Sequence, residues 1–394
     1  MDGLFYLRTM NIRDLFLLDP QVTYLNHGSF GACPREIFDD YQNWQRILES
    51  EPVQFIVNKG PAAINESRRA LAGFVGCKAE NLVFVTNPTY AVNIIARSLD
   101  LREGDEVLST DHEYGAMDRT WNYYCKRAGA RYVNAEITLP IVSEDEIVNQ
   151  FWSQVTPKTR VIFINHISSA TALIFPVKRI CERARENGII TIVDGAHVPG
   201  HIPLHISELD IDFYTGACHK WLLTPKGNSF LYASDAWKEK LDPIIISWGY
   251  EAENPGPSKF LDYHEQQGTR DFSAFLTVQV ALNFFARYNW NELTTQCRWQ
   301  IPEIYREACE LAGTEPLAPL DGRFTGQMCS VPVGIEDAFK VKQYLFQEHD
   351  IEIPVFNWRG RHFIRISWQP YNERKDLDRL FDAMLGLRKM GWLK

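Results

Sequence analysis

Ile189-Ile190-Thr191-Ile192-Val193-Asp194-Gly195-Ala196-His197, followed by Asp212-Phe213-Tyr214-Thr215-Gly216-Ala217-Cys218-His219-Lys220, decides how this chain is read. The first run is short, apolar and β-branched, and it comes after a helical stretch and the breaker Asn187-Gly188. That pattern predicts a buried parallel strand ending at Asp194. Residues 211–214 read as a second strand. Lys220 falls in the loop after it, which Thr224-Pro225-Lys226-Gly227 closes. Ligands of open α/β sheets bind at the carboxyl ends of strands. Two neighbouring strand ends therefore offer an anion and an amine to one crevice.

An amine that condenses with an aldehyde, beside a carboxylate that keeps a pyridine nitrogen protonated, is the minimum electron sink of pyridoxal phosphate chemistry. Taken singly, Asp194 reads as readily as a cap and Lys220 as a solvated lysine. The pairing at adjacent strand ends carries the reading.

Outward from this pair the chain alternates strand and helix, which predicts a parallel α/β architecture. Residues 82–86, 106–109 and 161–165 read as strands; 177–186 reads as a helix, as does the stretch from 88 to 99. Beyond Asp271 the pattern changes to amphipathic helices over 272–288 and 290–311. Strands follow at 327–333 and 362–368, with helices at 335–349 and 373–386. These divide the chain into an N-terminal segment (1–22) packed on a small domain, a large cofactor-binding domain (23–265), and a linking helix with a small α+β domain (266–394).

Composition sets the limits. The chain has 394 residues, with 41 Lys+Arg against 50 Asp+Glu and a formal charge of -9, which argues against a nucleic-acid surface. Its eight cysteines are scattered without a Cys-x-x-Cys pair, so neither a metal cluster nor a disulfide framework is expected, and a reducing cytoplasm is. Residues 1–10 show no basic region followed by a long apolar run, and no stretch reaches about 20 apolar residues, so neither a secretory signal nor membrane association is expected.

Other segments complete a candidate site. The turn Thr86-Asn87-Pro88-Thr89-Tyr90 opens a helix after a strand, where free N–H groups and the Thr89 hydroxyl favour a phosphate. Without a glycine-rich fingerprint, a dinucleotide is not indicated. In Asp111-His112-Glu113-Tyr114, His112 and Tyr114 are both candidates to stack on a ring. His197 is placed to bond the cofactor's phenolic oxygen or to orient Asp194. Gly268-Thr269-Arg270 offers phosphate donors. Arg365 shares one strand face with Phe363 and Ser367, and its fork suits a substrate α-carboxylate.

Together these motifs resemble the class V aminotransferase group of fold type I pyridoxal phosphate enzymes, within it the isopenicillin N epimerase-like branch. The resemblance rests on Tyr24-Leu25-Asn26-His27-Gly28-Ser29-Phe30-Gly31, Asp111 to Ala116, Asp194-Gly195-Ala196-His197, Thr215-Gly216-x-x-His219-Lys220-Trp221, Gly268 to Asp271 and Arg365-x-Ser367-x-x-x-Tyr371-Asn372. It implies a large domain with a mainly parallel seven-stranded sheet flanked by helices, plus a smaller α+β domain. It further implies that Lys220 forms the Schiff base, Asp194 binds the pyridinium and His197 contacts the phenolate. Thr89, the Tyr90 backbone and His219 would bind the phosphate, Arg365 the substrate carboxylate, and Asn26 and His27 would line the substrate pocket. A homodimer with a shared site is implied, with Thr269 reaching the neighbouring phosphate.

Sister cysteine desulfurases carry a nucleophilic cysteine on a flexible loop shortly before the arginine; residues 351–362 contain none. Persulfide formation is therefore not expected. The expected activity lies at the α-carbon of an amino acid or cysteine-bearing derivative, by epimerisation or by β-elimination. Epimerisation needs a second acid, for which Tyr114, His112 and His27 are candidates. The alternatives are transamination, or a silent or regulatory homologue; the few residues before Tyr24 leave no room for an appended DNA-binding domain.

Overall fold

The computed structural model describes residues 11–394. Seven strands form the main sheet: β1 (Leu82–Val85), β2 (Glu106–Thr110), β3 (Arg131–Ala135), β4 (Thr159–Asn165), β5 (Ile190–Asp194), β6 (Phe213–Ala217) and β7 (Ser229–Ala233). Their order is β1-β7-β6-β5-β4-β2-β3, and β7 alone runs against the rest. Ile192 and Val193 are fully buried, as Phe163, Ile164 and Phe213 are. Helices on both faces leave a central parallel strand no solvent side, which is why it reads as unbroken apolar sequence.

The reversal of β7 matters for the site. A parallel crossover would carry the chain away from the strand ends after β6. Instead the connection 218–228 stays at the carboxyl edge of β6, so His219 and Lys220 remain over the crevice. Neither β3 nor β7 stands out in the sequence. β3 is an edge strand whose Arg131 and Asn134 are exposed, which removes the apolar signal.

The C-terminal part has a second, antiparallel sheet of β8 (Met328–Val333), β9 (Val355–Trp358) and β10 (Arg361–Ser367) in the order β9-β10-β8. Arg365 sits on its central strand, opposite Ser330. Helices Trp290–Ala312, Ala338–His349 and Arg374–Lys389 cover this sheet and its flanks. Thr23–Tyr24 pairs in parallel with Ile351–Glu352, and the Phe16 ring packs 4.9 Å from that of Tyr371. The rest of the segment 1–22, residues 1–10, lies outside the described residues.

Candidate functional site

β4 and β5 end side by side, with Asn165 opposite Asp194. Asp194 is buried, and its Oδ1 accepts the Ala196 N–H at 2.9 Å. Burial raises its pKa, against the Ala196 N–H and the nearby Lys220. Burial, with Arg365 adding repulsion, lowers that of Lys220 to about 7, against the pull of Asp194. Lys220 Nζ lies 3.2 Å from His197 Nε2. The Trp221 indole N–H donates to His197 Nδ1 at 3.4 Å, so the proton of a neutral His197 is on Nε2, facing the amine. Burial lowers the His197 pKa, which keeps the ring neutral.

These groups line an inner chamber of about 290 Å³ with Asn87, Pro88, Thr89, Tyr114, Ser169 and His219. The chamber therefore joins an amine, a carboxylate and a helix start. His219 Nδ1 donates to the Asn228 carbonyl at 3.0 Å, which leaves Nε2 as the acceptor of the neutral ring. The Tyr90 N–H is already engaged by the Asn87 side chain at 2.9 Å, the N-cap of helix Pro88–Ser98. Thr89 lines the chamber, while the Tyr90 N–H, expected beside it at the phosphate, caps the helix through the Asn87 side chain.

An outer chamber of about 620 Å³ adjoins it, sharing Ser29, Tyr114 and Ser169. Arg365 stands there, buried, donating to the Ser169 carbonyl at 2.6 Å and to Ser29 Oγ at 2.9 Å. Among the described residues no carboxylate pairs with it, and its Nε has no partner. Burial lowers its pKa to about 10, so it remains a cation at neutral pH. A buried, unpaired guanidinium is costly unless an anion completes it.

Three expected site residues lie elsewhere. His112 is wholly buried behind the chambers, with Nδ1 2.9 Å from Thr171 Oγ1 and Nε2 3.4 Å from the Ile137 carbonyl. Its ring packs 4.8 Å from that of Trp358. His27 is spent in the same way: Nδ1 meets the Tyr371 hydroxyl at 2.9 Å and Nε2 the Lys220 carbonyl at 3.0 Å. Burial lowers both pKa values, to about 4 for His112 and about 3 for His27. Asn26 is buried beside His27 and lines neither chamber. Ser29 and Phe30, next along the same turn, do. Tyr114, the other residue expected to stack or transfer a proton, lines both chambers and is half exposed. Thr269 is exposed and does not line the inner chamber of its own chain.

The sequence did not mark Ser29, Asn165 or Glu113. Glu113 Oε1 accepts the Thr110 hydroxyl at 2.7 Å and the Asn165 N–H at 3.3 Å. Burial raises its pKa to about 8, so it is protonated at neutral pH. Only proximity in the fold distinguishes such residues.

The sequence profile of the class V aminotransferases matches residues 37–380. The chain is 34% identical to an isopenicillin N epimerase of Amycolatopsis lactamdurans, over 96% of this chain and 98% of that one. It is 27% identical to a probable chloroplastic L-cysteine desulfhydrase of Arabidopsis thaliana, over 95% and 84%. In structure it resembles the cysteine desulfurase CsdA of Escherichia coli, with a TM-score of 0.79 at 19% identity and 99% of each chain covered.

Proposed function

The chain belongs to the class V aminotransferase family of pyridoxal phosphate-dependent enzymes, and from that premise we infer that it moves the α-proton of an amino acid substrate and inverts that carbon. The observation that carries this is the buried Arg365 without an acidic partner, across a shared wall from the Lys220–Asp194 pair.

The inner chamber fits the cofactor, because a buried carboxylate and a buried amine of lowered pKa face one cavity at a helix start. Lys220 would hold the aldehyde, Asp194 the ring nitrogen and His197 the phenolic oxygen. Thr89 would hold the phosphate, joined by His219 once the anion draws a proton onto its Nε2 while Nδ1 stays on the Asn228 carbonyl, and Thr269 would reach the phosphate of a neighbouring subunit. When bound, pyridoxal phosphate supplies an electron sink that acidifies the α-proton of an attached amino acid. Arg365 takes the α-carboxylate through its fork, with Ser29 and Ser169 fixing the plane of the guanidinium. Lys220 Nζ takes the α-proton; its low pKa keeps it an effective base near pH 7. The Tyr114 hydroxyl returns a proton, since His27 and His112 have both ring nitrogens committed to the protein.

The desulfhydrase relatives favour a second reading, in which Lys220 returns its proton to a departing sulfur substituent of a cysteine derivative. A homodimer is supported by Ile246 and Trp248, which are 59% and 86% exposed and lie on the loop that flanks Gly268 and Thr269. A reducing, cytoplasmic setting is supported by eight unpaired cysteines. No helix of the described residues is long and apolar enough to cross a membrane.

Incubation with a panel of amino acids and sulfur conjugates in deuterated water tests the reading. Deuterium at an inverted α-carbon is expected. Pyruvate release would move the assignment to β-elimination, and keto acid with a pyridoxamine spectrum would overturn both. Lys220→Ala is expected to remove the visible band that the lysine–aldehyde linkage gives the holoenzyme, and an unaltered band would overturn the Lys220 assignment.

A further inference from the structure

Strands β9 and β10 form a hairpin that walls the outer chamber, and its two-residue turn is Arg359-Gly360. Both turn residues have positive φ, +50° for Arg359 and +77° for Gly360. Such turns favour asparagine, aspartate or glycine at the first position, because a Cβ is disfavoured in the left-handed region. An arginine there departs from the local preference, and departures of this kind concentrate where a side chain has work to do. The Arg359 side chain lines the chamber and pairs with Asp111 Oδ2.

Asp111 is built to hold it. Its carboxylate is 6% exposed, and Oδ1 accepts the Ile137 N–H at 3.1 Å. The Arg359 side chain is 48% exposed beside Asp111, so its fork keeps a side open to a second acceptor. Between the two arginines the wall is apolar, with Phe356 and Trp358 from β9. Arg365 lies four residues, roughly 13 Å, along β10 from the strand end that adjoins the Arg359 turn. The chamber is far larger than the side chain of alanine or cysteine requires.

Resting on the reading of Arg365 as the α-carboxylate clamp, we propose that Arg359 is a second anion-binding residue, positioned by Asp111, and that the preferred substrate is an amino acid whose long side chain ends in a carboxylate. The apolar stem would run along Phe356 and Trp358, with an arginine fork at each end. Asp118, which also lines the chamber, is partly buried and accepts the Tyr132 hydroxyl at 2.8 Å, and Arg359 is the exposed cation available to a distal anionic group.

The test titrates the holoenzyme with 2-aminoadipate, its δ-carboxamide and norleucine, reading Kd from the change in the visible cofactor band. Wild type is expected to bind 2-aminoadipate at least about tenfold more tightly than the amide, the size of one charge-assisted contact. Arg359→Asn, which suits the turn, is expected to erase that difference while shifting the norleucine Kd less than about twofold. Asp111→Asn should reduce the difference without erasing it. A wild-type enzyme that binds all three alike, or an Arg359→Asn variant that keeps the preference, overturns the proposal alone. A band that responds to no amino acid overturns the reading of the site with it.

Discussion

Lys220 and Arg365 show how burial sets chemistry at single residues. A solvated lysine holds its proton to about pH 10.4, but burial with the field of Arg365 lowers Lys220 to about 7. The sign follows directly: the neutral, nucleophilic amine of the apo-protein accumulates as pH rises, about half formed near pH 7 and nearly complete about one unit higher. The rate of pyridoxal phosphate uptake by apo-protein, followed by visible absorbance, should climb about tenfold per unit below pH 7 and level off above about 8. A rate still climbing at pH 9.5 would contradict this. For Arg365, loss of a buried charge-assisted contact of about 2–3 kcal/mol should lower kcat/KM about 30- to 150-fold in Arg365→Ala. Arg365→Lys should recover little, because an ammonium cannot reproduce the planar fork held between Ser29 and Ser169. Steady-state kinetics on any accepted amino acid decides it, and a change under threefold would remove the clamp.

Among the elements, the loop that carries Lys220 depends on the N-terminal turn packed beneath it. Gly31, at φ +71°, brings its Cα against the His219 carbonyl and the Lys220 backbone, so that a Cβ would lie 3.0 Å from Lys220 Cα. His27 holds the Lys220 carbonyl from the same turn. Gly31→Ala should therefore cost about 2–4 kcal/mol through the left-handed backbone and overpacking, and it should loosen cofactor binding. Gly73, on the exposed side of helix Gly60–Val75, meets nothing within 4 Å. Gly73→Ala should instead stabilise by about 0.5–1 kcal/mol. Chemical denaturation of both variants checks the contrast. The helix 177–186 is legible in sequence to the residue, because its apolar positions repeat at helical spacing. Strand β9 is not: its partly exposed residues take their order from pairing with β10, a contact that one segment cannot announce.

Across the whole molecule, the active crevice draws on parts far apart in the chain: the turn at 29–30, the ends of β4 and β5, the Lys220 loop and β10. Arg365 joins them physically, reaching from the small sheet to Ser169 and Ser29. The proposed dimer would extend this across subunits. A tryptophan 86% exposed beside exposed isoleucines is a costly surface for a free monomer. Trp248→Glu should weaken self-association at least about tenfold, as sedimentation equilibrium would measure, and cofactor affinity should fall with it. Unchanged association would place the interface elsewhere.

The sequence by itself determined the α/β alternation, the strand ending at Asp194, and the Asp194, His197 and Lys220 set, because local periodicity and short spacings encode them. It placed Arg365 on a strand for the same reason. It also put His112, His27 and Asn26 into the pocket, where the tertiary structure packs them behind or beneath it. Which way a side chain faces depends on partners distant in sequence: Thr171 and Ile137 claim His112, while Tyr371 and the Lys220 carbonyl claim His27. The tertiary structure alone assembled the two chambers, the inner through the return of β7 and the outer through the hairpin that turns at Arg359. Chain neighbours fix periodicity and turn chemistry; burial and the pairing of distant segments fix which polar groups are left open to a ligand.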